Sequence, residues 1–124
     1  MNIYIGIDAV DIKRFAHFHL YSTTQLARLF SPQEIAYCLQ TPVKSAERFA
    51  ARFAAKEALY KALTHAHNQP PCPFLALCKS AEIEKNPYPT FKLDKKLLNG
   101  LQQVRLSITH AKELAFAQVL LHKI

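Results

Sequence analysis

The stretch Glu47-Arg48-Phe49-Ala50-Ala51-Arg52-Phe53-Ala54-Ala55-Lys56-Glu57-Ala58-Leu59-Tyr60-Lys61-Ala62-Leu63 decides how the rest of the chain is interpreted. Alanine and other strong helix formers fill residues 47–63, and no glycine or proline interrupts them, so the stretch predicts a long helix. At 3.6 residues per turn, Phe49 and Phe53 lie on one face, and Glu57 and Lys61 follow one and two turns later. Beside this face runs a basic row, formed by Arg48, Arg52 and Lys56.

The charged residues of this helix allow two interpretations. In the first, Glu57 and Lys61 are an ordinary solvated pair four residues apart, and such pairs contribute only about 0.3–0.5 kcal/mol. In the second, Glu57 is a functional carboxylate at the end of an aromatic stripe, which requires another acidic group elsewhere in the chain.

Length and composition predict a single domain over residues 1–124, cytoplasmic and without a membrane span. The chain has 124 residues, of which 50% are hydrophobic and two are glycine, enough for one core of its own. No stretch approaches the length of a membrane span, and the first residues lack the basic-then-apolar pattern of a secretory leader. The cysteines, Cys38, Cys72 and Cys78, are odd in number and outside CxxC spacing, which favours reduced thiols.

The formal net charge is +7, from 16 Lys plus Arg against 9 Asp plus Glu. A basic surface of this kind favours anionic partners: nucleic acid, a phosphate-rich small molecule, an anionic membrane or an acidic protein. Charge alone does not choose among these classes.

The N-terminal residues 2–8 alternate as a strand does, with Ile3, Ile5 and Ile7 on one side. Asp8 ends this strand, either as a cap or turn residue for a following helix or as a ligand held at the strand end. Gly6 lies two residues before Asp8 on the same face, and we expect it to make room for a bulky group that approaches the carboxylate.

The remaining chain alternates short helices and strands. Ser31-Pro32-Gln33-Glu34 is a helix start with a capping box, and the helix stops before Thr41-Pro42. Residues 11–18, 23–30 and 94–98 predict further helices, residues 64–73 a proline-rich loop, and residues 81–84 and 90–93 a strand pair. Residues 104–110 and 114–121 predict a β-hairpin with Thr109 and His110 at its tip.

Two sets of side chains are candidate metal ligands. Histidines and cysteines around the loop (His65, His67, Cys72 and Cys78) fit no standard zinc spacing, so zinc is disfavoured. Asp8 and Glu57 together suit a hard divalent cation, since Mg²⁺ prefers one or two protein carboxylates with waters and substrate phosphates. Lys61 would reach a phosphate oxygen or leaving group. Further phosphates would be held by the basic row and His110, that is, by Arg48, Arg52, Lys56 and His110. Such equipment suits phosphoryl-type transfer.

Three blocks of sequence resemble a known family. Ile5-Gly6-Ile7-Asp8-Ala9-Val10-Asp11-Ile12, then Arg52-Phe53-Ala54-Ala55-Lys56-Glu57-Ala58 with Lys61-Ala62, then Ser107-Ile108-Thr109-His110 before an apolar strand, follow the order of the holo-acyl-carrier-protein synthase family of 4′-phosphopantetheinyl transferases. The resemblance covers nearly the whole chain, and its central block is the specific one.

The resemblance implies a reaction and its residues. The 4′-phosphopantetheine arm of coenzyme A would move to a serine of apo acyl carrier protein, releasing adenosine 3′,5′-bisphosphate. Asp8 and Glu57 match magnesium ligands, and Lys61 matches a lysine that stabilises or protonates the leaving phosphate. Either Glu57 or a water on the metal would take the serine proton. Segments that line the coenzyme A site contain Arg48, Arg52, Thr109 and His110. Arg14 matches a basic position that faces the acidic carrier, and Lys13, His17 and Arg28 would help to bind it.

The resemblance also implies an α+β fold, in which an antiparallel sheet packs on the long central helix, and a homotrimer with sites between subunits. Asp8 with His110 and the central helix would then come from different chains. The chain departs from the family after Lys61-Ala62, where Leu63-Thr64-His65-Ala66-His67 replaces a Gly-Thr-Gly-type loop near the nucleotide.

Competing functions use the same residues differently. A magnesium-dependent phosphohydrolase would need the carboxylates but no carrier protein, and a divergent, weakly active member would bind nucleotides. A non-enzymatic nucleic-acid module would need exposed aromatics among its cations, whereas the aromatics here have core spacing.

Overall fold

Over residues 2–123, the part of the chain that the computed structural model describes, helices and strands alternate as an α+β protein. The strands are β1 (Asn2–Asp11), β2 (Ala81–Lys85), β3 (Pro89–Leu93), β4 (Leu101–His110) and β5 (Leu114–Lys123). The helices are α1 (Thr23–Leu26), α2 (Pro32–Leu39), α3 (Ser45–His67) and α4 (Phe74–Ser80), with 3₁₀ turns at Ile12–Phe15, Phe18–Leu20, Pro42–Lys44 and Lys95–Leu98. None of these helices is long and apolar enough to cross a membrane.

The larger sheet is antiparallel, with strand order β1-β5-β4. The predicted hairpin forms its β4–β5 half, and β1 pairs along the whole length of β5. The second sheet is the predicted pair β2 and β3. The long helix α3 packs on one face of the larger sheet, which confirms the expected architecture.

The core lies between α3 and this sheet. Alanines fill the contact side of the helix, so the helix axis approaches the strands closely, while larger side chains fill the remaining space. The buried helix residues include Phe49, Leu59 and Leu63, and the buried strand residues include Ala115, Ala117, Val119 and Leu121.

Gly6 is the point at which β1 lies against α3. A Cβ built on Gly6 would sit 1.9 Å from the carbonyl oxygen of Ala58 and 2.8 Å from the amide nitrogen of Ala62. Real Cβ atoms do not come so near to backbone atoms, so only glycine permits this contact. The expectation that Gly6 makes room beside Asp8 is therefore corrected: the group it accommodates is the backbone of α3.

The isoleucine side of β1 faces away from α3. Ile3, Ile5 and Ile7 are 46%, 52% and 61% exposed, although each is strongly apolar. Gly6 contacts the helix and therefore lies on the inner face of β1. Because side chains alternate along a strand, Asp8 lies on the same inner face, opposite to the isoleucines. The strand also runs to Asp11, so Asp8 lies within the paired region opposite Ala117 and not at the strand end.

The predicted local signals hold to different degrees. At the start of α2 the capping box is present, with Glu34 N donating to Ser31 Oγ at 3.2 Å and Ser31 N donating to Glu34 Oε1 at 2.7 Å. Residues 23–30 are helical only over α1. Within the predicted helix 11–18, Asp11 ends β1, Ile12–Phe15 is a 3₁₀ turn, and a second 3₁₀ turn begins at Phe18. No pattern in the sequence predicted α4.

The central helix is longer than predicted. It runs past Leu63 to His67 and ends at Asn68, whose φ of 59° is the left-handed conformation common after a helix. Residues 64–67 were therefore wrongly assigned to the loop. His65 packs edge-on against the ring of Tyr4, with centroids 5.4 Å apart, and within residues 2–123 no group of three or more acidic, histidine or cysteine side chains has metal-binding geometry.

The segment that follows α3, residues 68–73, is anchored by contacts with aromatic side chains of α3 and α4. The phenol of Tyr60 donates to the carbonyl of Cys72 at 2.7 Å. The ring of Phe74 stacks on Phe53 with centroids 5.8 Å apart. These contacts hold residues 68–73 against α3 without glycines.

We expect Gly6→Ala to lower the free energy of unfolding by about 3 kcal/mol or more, since the obstructing atoms belong to the helix backbone and can yield only if β1 and α3 separate. Urea unfolding measures the change. Gly100→Ala is the matched control. A Cβ built on Gly100 would lie 3.5 Å from its nearest neighbour, a side-chain atom of Lys123, which is an ordinary contact. Only the left-handed conformation of Gly100, with a φ of 75°, is then penalised, by about 1–2 kcal/mol. Equal losses in the two variants would contradict the close contact at Gly6.

Candidate active site

The contact between β1 and α3 brings three charged side chains together. Asp8 follows Gly6 on the inner face of β1, and Glu57 and Lys61 lie one turn apart on α3. The ammonium of Lys61 donates to Asp8 Oδ1 at 2.9 Å and to the carbonyl of Ile7 at 3.1 Å. Lys61 is thus bonded to the strand, and the interpretation of Glu57 and Lys61 as a solvated surface pair does not describe the molecule.

The surroundings of Glu57 change its acidity. Its pKa is raised above the ordinary value, first by burial and then by the negative charge of Asp8, while Lys61 and Arg14 act in the opposite direction. Because two carboxylates repel in a partly desolvated place, the cluster favours a cation or a proton between them. Asp8 and Glu57 therefore form one electrostatic site.

The carboxylate pair fits a hard divalent cation. Asp8 Oδ2 is buried and has no hydrogen-bond partner, and leaving such an oxygen unpaired costs free energy. Oxygen ligands in this number suit Mg²⁺, which uses one or two carboxylates and completes its shell with water and phosphate oxygens. The fit to a magnesium ion thus rests on an oxygen that the protein itself leaves unsatisfied.

A second feature is a cationic cavity of about 360 Å³ next to the N-terminal half of α3. Two of its arginines stack on one aromatic ring: the guanidinium carbons of Arg48 and Arg52 lie 4.1 and 4.2 Å from the ring centroid of Tyr37. Arg52 is 5% exposed, and its Nε is buried without a partner. Further polar lining comes from Lys44, Lys85, Glu47 and His110.

Lys56 does not belong to this cavity. Its ammonium is buried, with 1% of the residue exposed, and donates at 2.7 Å to Glu34 Oε1 and at 2.7 Å and 3.0 Å to the carbonyls of Leu29 and Cys78. All three of its protons are used inside the protein. The assignment of Lys56 to the phosphate-binding row is corrected for this reason: helical spacing puts it beside Arg52, but its side chain turns into the core.

Thr109 and His110 lie on opposite faces of β4. His110 contacts Glu47 of α3 through its Nε2 and lines the cavity. Thr109 pairs in register with Phe116, so it belongs to the outer face that also carries Ile7. The structure brings His110 to the other candidate residues and leaves Thr109 away from them within one chain.

Asp8 and His110 both contact α3 of their own chain. Both residues therefore lie against the central helix of one and the same chain, and a site shared between chains of a trimer stays a prediction. The physical reason for the contacts within one chain is the packing at Gly6, which lays β1, and through the sheet β4, directly on the helix.

The basic positions expected to face a partner lie at the surface of the protein. Lys13, Arg14 and Arg28 are exposed. The guanidinium carbon of Arg14 lies 5.7 Å from the ring centroid of Phe53, and its charge acts on Glu57. Arg14 thus stands at the rim of the carboxylate site.

Tyr37, Lys44 and Lys85 were missed as site residues. Only Tyr37 had a signal in the sequence, because the capping box fixes the phase of α2 and Tyr37 follows Glu34 by three residues on that helix. Lys85 reaches the cavity from the end of β2, a position that depends on the tertiary fold.

Comparison with known proteins agrees over nearly the whole chain. The family model of the 4′-phosphopantetheinyl transferase superfamily matches residues 4–119. The chain is 36% identical over 121 residues to the holo-[acyl-carrier-protein] synthase of Geotalea daltonii, covering 95% of this chain and 96% of that one. It is 38% identical over 124 residues to that of Trichlorobacter lovleyi, covering 94% of each.

Solved structures give the same result. The ACPS–CoA complex of Chronobacterium ammoniagenes superposes with a TM-score of 0.80 at 27% identity, covering 100% of this chain and 99% of that one. The Helicobacter pylori holo-[acyl-carrier-protein] synthase in complex with coenzyme A gives a TM-score of 0.73 at 30% identity, covering 95% and 99%.

Replacing the buried lysine tests its structural role. We expect Lys56→Met to lower the free energy of unfolding by about 3–5 kcal/mol, because it removes the ammonium that pairs with the buried carboxyl group of Glu34. The exposed Lys96→Met change should alter stability by less than about 0.5 kcal/mol. Chemical denaturation of both variants measures the difference, and a loss under about 1 kcal/mol in Lys56→Met would mean that the ammonium is accessible to water.

Proposed function

Since this chain belongs to the 4′-phosphopantetheinyl transferase superfamily, we propose that Asp8, Glu57 and Lys61 carry out its transfer reaction. The chain transfers the 4′-phosphopantetheine group of coenzyme A to a serine of apo acyl carrier protein and releases adenosine 3′,5′-bisphosphate, as in fatty acid synthesis. The single observation that carries the assignment of residues is the cluster in which Lys61 bonds Asp8 beside Glu57.

Asp8 and Glu57 are the proposed ligands of a Mg²⁺ ion. When bound, the ion supplies positive charge that neutralises the pyrophosphate and polarises the phosphorus that the serine attacks. The unpaired Oδ2 of Asp8 supports this assignment. Through such an ion, the two carboxylates would hold the reacting pyrophosphate at the β1–α3 contact, where partial burial strengthens charge interactions.

Lys61 is the proposed partner of the leaving phosphate. Its side chain is about half exposed, so it is free to turn from Asp8 to a phosphate oxygen at the site entrance. Glu57 is the proposed acceptor of the serine hydroxyl proton, because a carboxylate within reach of the reacting hydroxyl can serve as a general base. The two roles need groups of opposite charge one helical turn apart, which α3 provides.

The cationic cavity is proposed to bind the remaining phosphate charge of coenzyme A. Arg48, Arg52 and His110 line it, and Arg52 has an Nε without a partner. The exposed basic residues Lys13, Arg14 and Arg28 are proposed to face the acidic carrier protein, since complementary charge steers association. The whole of residues 1–124 would act as one transferase domain.

We place the reaction in the cytoplasm, where thiols stay reduced. Cys38, Cys72 and Cys78 are free, and burial raises the pKa of Cys38 to about 12 and that of Cys78 to about 11. Both groups thus remain protonated and unreactive at neutral pH.

The working unit is proposed to be a homotrimer. The outer face of the larger sheet exposes Ile3, Ile5 and Ile7 beside one another along β1, and apolar rows of this kind mark interaction surfaces. Thr109 lies on the same face, so association there would bring it toward the site of a neighbouring subunit.

The reaction is tested by incubating the protein with apo acyl carrier protein, coenzyme A and Mg²⁺ and weighing the carrier by intact mass spectrometry. We expect Asp8→Asn and Glu57→Gln each to slow transfer by roughly 100-fold or more, because each removes a charged ligand of the cation that would neutralise the pyrophosphate. The controls Asp94→Asn and Glu84→Gln make the same chemical changes at exposed sites. Full activity in both site variants would refute the assigned roles.

The assembly is tested separately by light scattering on a sizing column. We expect the double variant Ile5→Glu, Ile7→Glu to be monomeric, since it would bury charges at the subunit contact. Leu75→Glu makes the same kind of change, with one added charge, at an exposed apolar residue of α4 and should stay trimeric. A monomeric unmodified protein would rule out the trimer.

A further inference from the structure

Tyr37, on α2, is contacted by cationic side chains of α3 and of β2. The guanidinium carbons of Arg48 and Arg52 on α3 lie 4.1 and 4.2 Å from its ring centroid. Arg48 also donates to the Tyr37 carbonyl at 2.8 Å, and Lys85 Nζ lies 3.4 Å from the Tyr37 hydroxyl oxygen. One residue of α2 therefore contacts three cations of the cavity.

The ring compensates for an unfavourable arrangement. Arg48 and Arg52 are four residues apart on one helix, where like charges repel, and both side chains have many rotamers. The negative face of an aromatic ring attracts guanidinium groups and restricts them to stacked geometries. Arg52 is held in this way although it is nearly buried and its Nε has no partner. The result is a pair of fixed cations prepared for an anion.

We propose that Tyr37 is a positioning residue that preorganises Arg48 and Arg52 for the phosphate groups of coenzyme A. Tyr37 acts through the two arginines and touches no reacting atom. The proposal rests on the proposed function and adds to it a residue that determines substrate affinity.

Tyr37 is itself positioned by the buried ion pair. Glu34, one turn earlier on α2, accepts hydrogen bonds from Lys56 at 2.7 Å and from the amide of Ile83 at 2.9 Å. These bonds fix the rotation of α2 about its axis, and with it the direction in which Tyr37 projects. The cation row of α3 is therefore organised from the core outward: Lys56 holds α2, and α2 presents the ring to Arg48 and Arg52.

This arrangement predicts an effect on coenzyme A binding that leaves the chemical step alone. Loss of the ring in Tyr37→Leu should raise KM for coenzyme A about tenfold, while kcat and the KM for the carrier protein change less than about twofold. Tyr37→Phe keeps the ring and loses only the hydroxyl near Lys85, so it should behave like the unmodified enzyme.

The experiment measures steady-state transfer and, by calorimetry, the binding of adenosine 3′,5′-bisphosphate to the same proteins. The bisphosphate should bind about tenfold more weakly to Tyr37→Leu and unchanged to Tyr37→Phe. Arg48→Lys is a second variant that leaves the tyrosine intact: it keeps the charge but loses the planar stack, and it should also weaken bisphosphate binding. Urea unfolding checks that each variant is folded.

The outcomes separate the two proposals. An unmodified protein that transfers nothing to any apo carrier refutes the proposed function, whatever Tyr37 does. An active enzyme whose KM and bisphosphate affinity are unchanged in Tyr37→Leu overturns the positioning role. Equal impairment of Tyr37→Phe and Tyr37→Leu also overturns it, because the ring would then be irrelevant. If Tyr37→Leu does not fold, unchanged bisphosphate binding in Arg48→Lys overturns the role and weakened binding supports it.

Discussion

The close approach of β1 to α3 at Gly6 is the constraint on which the rest of the molecule depends. Any Cβ at this position would lie 1.9 Å from the Ala58 oxygen, so no other residue allows the strand backbone to rest on the helix. Side chains that follow on the same strand face must then meet the next turns of the helix. Asp8 therefore reaches Lys61 at 2.9 Å, and the carboxylate cluster follows from a packing contact.

Neighbouring charges on α3 serve opposite purposes because the helix has a buried side and an open side. Lys56 points inward and links α3 to four other segments. Its ammonium bonds Glu34 and the carbonyls of Leu29 and Cys78, and Glu34 also accepts from the amide of Ile83. Glu57, the next residue, points to the β1 contact, and Arg52 points to the cavity. An ion pair of this kind is weak evidence for stability, but its removal leaves a buried charge, so it enforces one arrangement of α2 on α3.

The two sides of the site are electrically complementary and both are incompletely satisfied. On the carboxylate side, folding raises the pKa of Glu57, which means that the folded protein disfavours its charged form. The contribution of Glu57 to stability therefore declines as pH rises from the unfolded-state pKa through the higher folded-state pKa. The cationic side holds Arg48 and Arg52 together on Tyr37. A substrate with several phosphate groups, bound with a divalent cation, would compensate both sides at once. Like charges lie close together and polar atoms lack partners at this site, and such unfavourable arrangements are typical of functional sites.

Local features of the protein could be predicted from its sequence. Composition specified the helix over 47–63, Ser31 and Glu34 specified the start of α2, and alternation specified the β4–β5 hairpin, because each depends on neighbours along the chain. The sequence also singled out Asp8, Glu57 and Lys61. Tertiary packing was needed to establish which face of β1 is buried, that Lys56 turns into the core, and that Tyr37 receives two arginines. These outcomes depend on contacts between residues far apart in sequence, which helical and strand periodicities do not encode.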